Sequence, residues 1–290
     1  MHAKPLHPKF GVEITGVDLA RVDDAVFGEI RTLFEAHSAL LFRNQDIDDA
    51  AHVRLARHFG PIEDRNAENL TGGDDFKVPQ VSNVREDGGT TGEMDLHTLN
   101  LQANMLWHAD STFLPTPALT NILIGRVVTE TGGATELAST RAGWAEMDPA
   151  LKSQLENAAL WHRYSHSRAR ISPELAKLPM FNKWPDQLWR AVWRNPVNGA
   201  DALYIASHAY AVEGLDADAG AHLIDAALAA VTQPQFVYTH QWRPDDVLIW
   251  DQRAVLHRGT PWNYKKPRKL SSICVSATPD DGVDAMRVIV

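Results

Sequence analysis

The sequence is poor in cysteine, in positive charge and in long apolar runs. Cys274 is its only cysteine, so no intramolecular disulfide and no cysteine-built zinc or iron–sulfur centre can form. That scarcity points to a reducing, cytoplasmic compartment. Lys and Arg number 28 against 37 Asp and Glu, a formal charge of −9. This balance argues against a general affinity for nucleic acid, which needs a clustered basic surface. No stretch approaches the roughly 18 consecutive apolar residues of a membrane-spanning helix. The opening MHAKPLHPKFG also lacks the apolar core of a signal peptide. Neither a membrane nor a nucleic acid is therefore expected as a partner. What is abundant is histidine, with 13 residues, the side chain that both titrates near neutrality and binds metals.

The remaining composition, 44% hydrophobic and 22% charged over 290 residues, suits a globular protein with a large core. Helical spacing of Val26, Ile30, Leu33 and Phe34 predicts a helix over 24–36, capped by Asp23 or Asp24. A second helix is predicted over 48–59, stopped at Gly60-Pro61. ALLF (39–42), NILIGRVV from Asn121, ALYIA (202–206), VLIW (247–250) and 270–276 read as strands. Residues 64–103 are polar and glycine-containing, too long for an ordinary loop. They are expected to form a lid-like insertion with one short strand at Val81–Val84. Asp148-Pro149 marks a helix start, and 216–231 is the clearest helix of the chain. The stretch 161–194 holds four of the nine Trp and shows no period. No repeat or linker divides the chain, so a single domain over 1–290 is expected, β-rich with helices packed outside.

His108-Ala109-Asp110 places a His and an Asp two apart, which on a strand turns both to one face. Alone this means little: with 13 His, about one such pair arises by chance. A strand-end His bonded to an Asp is the ordinary alternative. The segment Trp250–Arg258 (WDQRAVLHR) brings an apolar strand to a Trp-Asp turn, and a further short strand then delivers His257. Two His and one carboxylate leave positions open around an ion, the ligand pattern of non-haem Fe(II) oxygenases. Zinc is the rival ion, although catalytic zinc more often takes three His or two His and a Glu. Arg268, eleven residues past His257, can hold a carboxylate through two parallel hydrogen bonds. Thr135, after Gly132-Gly133, offers a hydroxyl to the same group. A basic surface turn is the plain alternative for Arg268.

Together these segments resemble the Fe(II)/2-oxoglutarate-dependent dioxygenases of the taurine dioxygenase/2,4-dichlorophenoxyacetate dioxygenase family. The similar stretches run the length of the chain: FGVEITGVDL, ALLFRNQDI, ARHFGPIE, SNVREDG, His108-Ala109-Asp110, GGATEL with Thr135, ALYIASHAYAVEGL around His208, and Trp250–Arg258 with Arg268. The resemblance implies a mainly β fold with flanking helices, a cupin-like double-stranded β-helix or jelly roll. It implies Fe(II) held by His108, Asp110 and His257. It further implies 2-oxoglutarate with its far carboxylate on Arg268 and Thr135, and O2 as the second cosubstrate. The implied reaction hydroxylates a small organic acid, with succinate and CO2 as co-products. Beside an ether oxygen, hydroxylation gives a hemiacetal that collapses to a phenol and glyoxylate. SNVREDG and ASHAYAVEGL favour an aryloxyalkanoate substrate, with taurine or another alkylsulfonate as the alternative. A non-catalytic or zinc-bound jelly-roll binding protein is the rival from a different class. Related halogenases lack the carboxylate that Asp110 supplies, so halogenation is not expected. A homo-oligomer is expected.

Two departures from the family pattern bear on specificity. Gln252 stands where the family has Asn after Trp-Asp, which is expected to alter hydrogen bonding around the ligands. Members of the family also place a substrate-anion-binding Arg a few residues beyond the cosubstrate Arg, where this chain has Ser271 and Ser272. The substrate's anion is then held elsewhere or is absent. Arg258 and Lys269 are the nearest remaining cations, and Lys77, His208, Arg168 and Arg170 are the further candidates, His208 first among them. Trp107, next to His108, is expected to pack near the iron and border the substrate. Trp184, Trp189 and Trp193 are candidates for an aromatic lining. His162 and His166 have helical metal-ligand spacing, disfavoured by Arg163, Arg168 and Arg170 beside them.

Overall fold

Strands that read as unbroken apolar runs are strands buried on both faces, and ALLF, NILIGRV and VLIW are neighbours in one sheet. The computed structural model describes residues 1–92 and 95–288. The seven strands of this sheet follow the order His2–Pro5, Val12–Thr15, Ala39–Phe42, Val247–Asp251, Ala118–Val127, Lys269–Ser276, Gln80–Ser82. Pairing is antiparallel except between Val12–Thr15 and Ala39–Phe42. Side chains alternate across it. Leu40, Phe42, Ile122, Ile124, Val247, Ile249, Ile273 and Val275 share one core with Ile30, Phe34, Leu55 and Phe59 of the helices Asp24–His37 and Asp49–Phe59. The intervening Ala39, Leu41, Leu123, Leu248, Trp250 and Leu270 instead meet Leu137 and Val255. Those two belong to a smaller sheet of Val237–His240, Thr135–Ser139 and Val255–Gly259. Two facing sheets with helices on the outside of one make the expected jelly roll.

The helix ends follow the capping residues. The Asp23 and Asp48 carboxylates accept the amides of Val26 and Ala51, and Asp216 caps Ala217–Val231. Asp148 caps Pro149–Leu155, with the proline in the first turn. ALYIA is a strand only at its start, within Asp201–Leu203, and two longer stretches differ from expectation. The 64–103 segment contains a helix, Leu96–Ala103, besides the strand Gln80–Ser82, which pairs with Lys269–Ser276. Within that helix only Thr98, Leu101 and Ala103 are buried, too few to print a helical period. The 161–194 stretch resolves into pieces of three to six residues: Ala159–His162, Tyr164–Ala169, Pro173–Ala176, Gln187–Arg190 and Val192–Arg194. Elements that short cannot complete a period. No described helix is long and apolar enough to cross a membrane.

His52 ties the helix Asp49–Phe59 to the sheet. Its ring is fully buried and Nε2 lies 3.0 Å from the Ile122 carbonyl oxygen. Nδ1 has no partner among the described residues. Burial drives its pKa down to about 3, against the pull of the Ile122 hydrogen bond, with Arg126 adding to the fall. The folded pKa lies below the ordinary value, so the neutral ring is the stable one. Its contribution is present above about pH 6.5 and is lost as pH falls toward 3. His52→Gln keeps a donor for Ile122 without the titration. Its stability deficit relative to the native chain, measured by urea unfolding, should narrow by up to about 1.4 kcal/mol per pH unit below pH 6.5. Parallel stability curves would refute this.

Candidate functional site

His108 and His257 lie on segments far apart in sequence, joined by a pair of reciprocal backbone hydrogen bonds. The His108 amide donates to the His257 carbonyl at 3.0 Å, and the His257 amide returns the bond at 2.8 Å. Residues paired this way present their side chains on one face, and the ring centroids are 4.0 Å apart. His108 occupies an isolated bridge rather than a regular strand, and Asp110 lies in the turn beyond it. The strand geometry expected for His108-Ala109-Asp110 is therefore replaced by a bridge followed by a turn, with the same convergence. The Asp110 carboxylate is 3.8 Å from His108 Nε2 and 3.6 Å from His257 Nε2. One ligand atom from each of the three residues falls within 4.8 Å of the others.

The turn after Val247–Asp251 holds this carboxylate in place. Gln252 grips Asp110 at two points: its carbonyl accepts the Asp110 amide at 3.0 Å and its NH2 donates to Oδ2 at 2.6 Å. The neighbours of Gln252 fix the turn. Arg253 bonds both oxygens of Asp251, at 2.8 and 2.9 Å, and reaches Glu35 Oε2 at 2.7 Å, all in the interior. From the sheet, Asn121 Nδ2 donates to Asp110 Oδ2 at 2.9 Å, and Asn121 Oδ1 accepts from Ser272 Oγ at 3.1 Å. Cys274 Sγ is 3.7 Å from the same carboxylate, and burial pushes its thiol up. Ser272 and Cys274 thus support Asp110 from the strand where the family pattern would place a cation.

Burial pushes His257 down to about 3 and lowers His108 as well. Burial also opposes ionisation of Asp110, but the facing His257 and His108, the Asn121 amide and Arg65 outweigh it and hold the carboxyl well below its usual range. With both rings neutral at pH 7, the amide bonds and Arg65 carry that role. His108 Nδ1 is 2.7 Å from the Leu106 carbonyl, so its proton sits there and Nε2 keeps a free lone pair. Two neutral imidazoles and one carboxylate, fixed by hydrogen bonds, fit a divalent cation.

The three residues border a cavity of about 870 Å³, in the range of small-molecule sites. Arg268, Thr135, His208 and Lys77 line it too. Arg268 is buried over the Trp262 ring, 4.8 Å to the centroid, and donates to the Gly133 carbonyl at 3.2 and 2.8 Å. No carboxylate pairs with it among the described residues, and burial pushes its pKa down to about 10. Thr135 accepts from Trp242 Nε1 at 3.0 Å, leaving its own proton to donate. The glycines of this turn are required: both have positive φ. A Cβ on Gly132 would meet the Pro261 oxygen at 2.5 Å, and one on Gly133 would meet Arg268 Nε at 2.9 Å. A buried, unpaired guanidinium is a ready-made carboxylate site.

His208 is buried, and burial with nearby Arg168 lowers it well below the ordinary value. It is a neutral ring at pH 7, whereas Lys77 is an exposed residue of the lining. The Thr112 hydroxyl sits 3.0 Å from His162 Nδ1 and 3.2 Å from His208 Nδ1. His162 Nε2 is buried without a partner among the described residues, and an orphaned buried N–H is rarer than an orphaned acceptor. His162 therefore donates to Thr112, Thr112 donates to His208 Nδ1, and His208 carries its proton on Nε2. An aromatic wall completes the lining. Phe113 and Tyr164 stack at 3.8 Å, with Trp184 at 5.7 and 6.0 Å from them and His208 4.9 Å from Phe113.

Five sequence candidates fall outside the cavity lining. Arg258 Nε bonds Glu136 at 2.6 Å and its guanidinium covers the Trp107 ring at 4.4 Å, so each satisfies the other. Neither borders the cavity, which corrects their expected contact with substrate. Arg170 is also outside it, and Trp189 and Trp193 are core residues donating to the carbonyls of Thr112 and Asp281. Sequence reasoning missed Asn121, Phe113 and Tyr164. Asn121 did leave a signal, a polar residue interrupting an apolar run in a strand buried on both faces.

A family model described as "Taurine catabolism dioxygenase TauD, TfdA family" matches residues 2–274. The chain is 31% identical over 272 residues to an (S)-phenoxypropionate/alpha-ketoglutarate-dioxygenase of Sphingobium herbicidovorans, covering 91% of each. It is 32% identical to an alpha-ketoglutarate-dependent 2,4-dichlorophenoxyacetate dioxygenase of Cupriavidus pinatubonensis, covering 97% of this chain and 98% of that one. Among solved structures, AAD-2 in complex with Mn(II) and N-oxalylglycine superposes with a TM-score of 0.88 at 30% identity, over 96% of this chain and 98% of that one.

The double grip of Gln252 on Asp110 makes it a sensitive probe of the cluster. Gln252→Leu should weaken Mn(II) binding, measured by isothermal titration calorimetry, by about 10- to 100-fold with the fold retained. Unchanged affinity would show that Gln252 does not orient the carboxylate.

Proposed function

The chain belongs to the taurine catabolism dioxygenase TauD/TfdA family and is an Fe(II)- and 2-oxoglutarate-dependent dioxygenase, and we propose that its substrate is a small aryloxyalkanoic acid. In this proposal His108, Asp110 and His257 are the iron ligands, and Arg268 with Thr135 receives the far carboxylate of 2-oxoglutarate. When bound, the iron and 2-oxoglutarate supply the oxidising chemistry that puts one atom of O2 into a substrate C–H bond and the other into succinate, with release of CO2. The chain's own work is to bind, orient and enclose. Gln252 and Asn121 hold Asp110 charged and aimed, and the Leu106 carbonyl fixes the His108 tautomer.

One observation carries the substrate class. The metal-ligand cluster shares its cavity with a wall of Phe113, Tyr164 and Trp184, which matches a flat aromatic ring. The relatives named for phenoxypropionate and 2,4-dichlorophenoxyacetate support the same class. Hydroxylation of the carbon between ether oxygen and carboxylate gives a hemiacetal, which collapses to a phenol and glyoxylate. His208, neutral and protonated on Nε2, is a hydrogen-bond donor for a substrate oxygen in this reading. The single domain over 1–290 uses its 64–103 segment as a lid, a role supported by the exposed Lys77 and the Phe76 beside it on the cavity lining.

Three measurements test this. Phenoxyacetate and 2-phenoxypropionate should each elicit succinate with an equimolar phenol. Succinate formed with taurine and with neither aryl acid would overturn the substrate class. Separately, Arg268→Gln should raise KM for 2-oxoglutarate by about 100-fold, as expected on losing a buried charge-assisted pair. In the native protein, anaerobic Fe(II) with 2-oxoglutarate should give a weak visible charge-transfer band. A normal KM in the variant would remove Arg268 from the cosubstrate site.

A further inference from the structure

The strand expected to hold the substrate's anion puts no cation on the cavity: its Lys269 is not part of the lining, and Ser272 and Cys274, which are, are engaged with Asn121 and Asp110. An aryl acid still needs its carboxylate neutralised in a buried site, because an isolated charge there is poorly solvated. The cations lining the cavity are Arg65, Lys77, Arg168, Lys183 and Arg268. Arg65 is committed: its Nε holds Glu63 at 2.6 Å. Lys77 and Lys183 are exposed, and Arg268 belongs to 2-oxoglutarate in the reading above.

Arg168 is different. It is 6% exposed and meets only neutral acceptors: Asn100 Oδ1 at 3.1 Å from Nε, Ser167 Oγ at 2.9 Å from Nη1, and Tyr164 Oη at 3.2 Å from Nη2. No carboxylate pairs with it among the described residues. A guanidinium has five N–H groups, so these contacts leave two of them open. The plane rests on Tyr164, 4.4 Å from the ring centroid, and that ring stacks on Phe113. The charge is close enough to the centre to act on His108, His208 and Asp110. Arg168 thus repeats the pattern of Arg268, a buried guanidinium fixed by neutral groups, and it does so beside the aromatic wall.

We propose that Arg168 is the anchor for the substrate's carboxylate, a task for which the strand after Arg268 puts no cation on the cavity. The anchor lies on the short helix Tyr164–Ala169, and Asn100 on the helix Leu96–Ala103 bonds its Nε, so the 64–103 segment helps aim it. With the carboxylate on Arg168, the ring of an aryloxy acid lies against the same Tyr164–Phe113 stack. Arg168 then sets the choice of an acid over a neutral aryl ether, while the wall sets the choice of an aryl group.

This rests on the aryl-acid reading, and a binding experiment separates the two. The protein is loaded with Mn(II) and N-oxalylglycine, which do not turn over, and titrated calorimetrically with phenoxyacetate and with its neutral counterpart phenoxyethanol. Arg168→Gln should weaken phenoxyacetate by about 30-fold or more, the scale of losing one partner of a buried charge pair. Phenoxyethanol and N-oxalylglycine should stay within about twofold, which also reports that the site remains folded, and Arg168→Lys should recover part of the phenoxyacetate loss. Equal weakening of phenoxyacetate and phenoxyethanol, or no weakening of either, overturns the assignment of Arg168. Should the native protein bind taurine or an alkyl sulfate instead, and lose it in Arg168→Gln, the aryl-acid reading fails while the anchor stands. A native protein that binds none of these acids overturns both.

Discussion

The site hangs on the two backbone hydrogen bonds that join His108 to His257. One histidine follows the helix Leu96–Ala103 and the other sits in the strand Val255–Gly259. Paired as antiparallel partners, they have no choice but to present both rings on one face. Asp110, two residues on, enters between them because Gln252 and Asn121 take its carboxylate from two other strands' ends and middles. A ligand set built this way is preorganised by main chain and amide groups, so little ordering remains when a cation arrives.

Buried arginines divide into two kinds, and the division separates scaffold from site. Arg253 is saturated by Asp251 and Glu35, an ion network in the interior that locks the turn carrying Gln252. The half-buried Arg65 is likewise matched by Glu63. Arg268 and Arg168 are held by carbonyl, amide and hydroxyl oxygens, which orient a guanidinium without cancelling its charge. A protein that keeps an uncancelled charge in its interior has left room for a ligand of opposite sign.

Much of this was legible in the sequence wherever an element was long enough to show a period. The helices Asp24–His37, Asp49–Phe59 and Ala217–Val231 and the central strands follow from spacing and apolar runs. The short pieces between 159 and 194 do not, because a few residues cannot display a repeat. Within Trp250–Arg258 the His proposed as metal ligand was visible and Gln252 was expected to affect the hydrogen bonds around the ligands, but the groups that Asp251, Gln252 and Arg253 hold were not. Their partners Glu35 and Asp110 lie in distant segments. Trp107 and Arg258 misled for the same reason: neighbours of ligands in sequence, they turn away and stack on one another.

The sequence by itself determined the chemistry. Residue types and their order along the chain decide which atoms can hold a cation and which can hold a carboxylate, since those are properties of single side chains. Tertiary structure alone decided which of the cations are free to act. Whether a guanidinium meets a carboxylate, a carbonyl or open space depends on packing between segments remote in the chain. For that reason Arg65 and Arg168, both on the cavity lining, differ in their partners: one is paired with Glu63 and the other is left with the aromatic wall and the cavity.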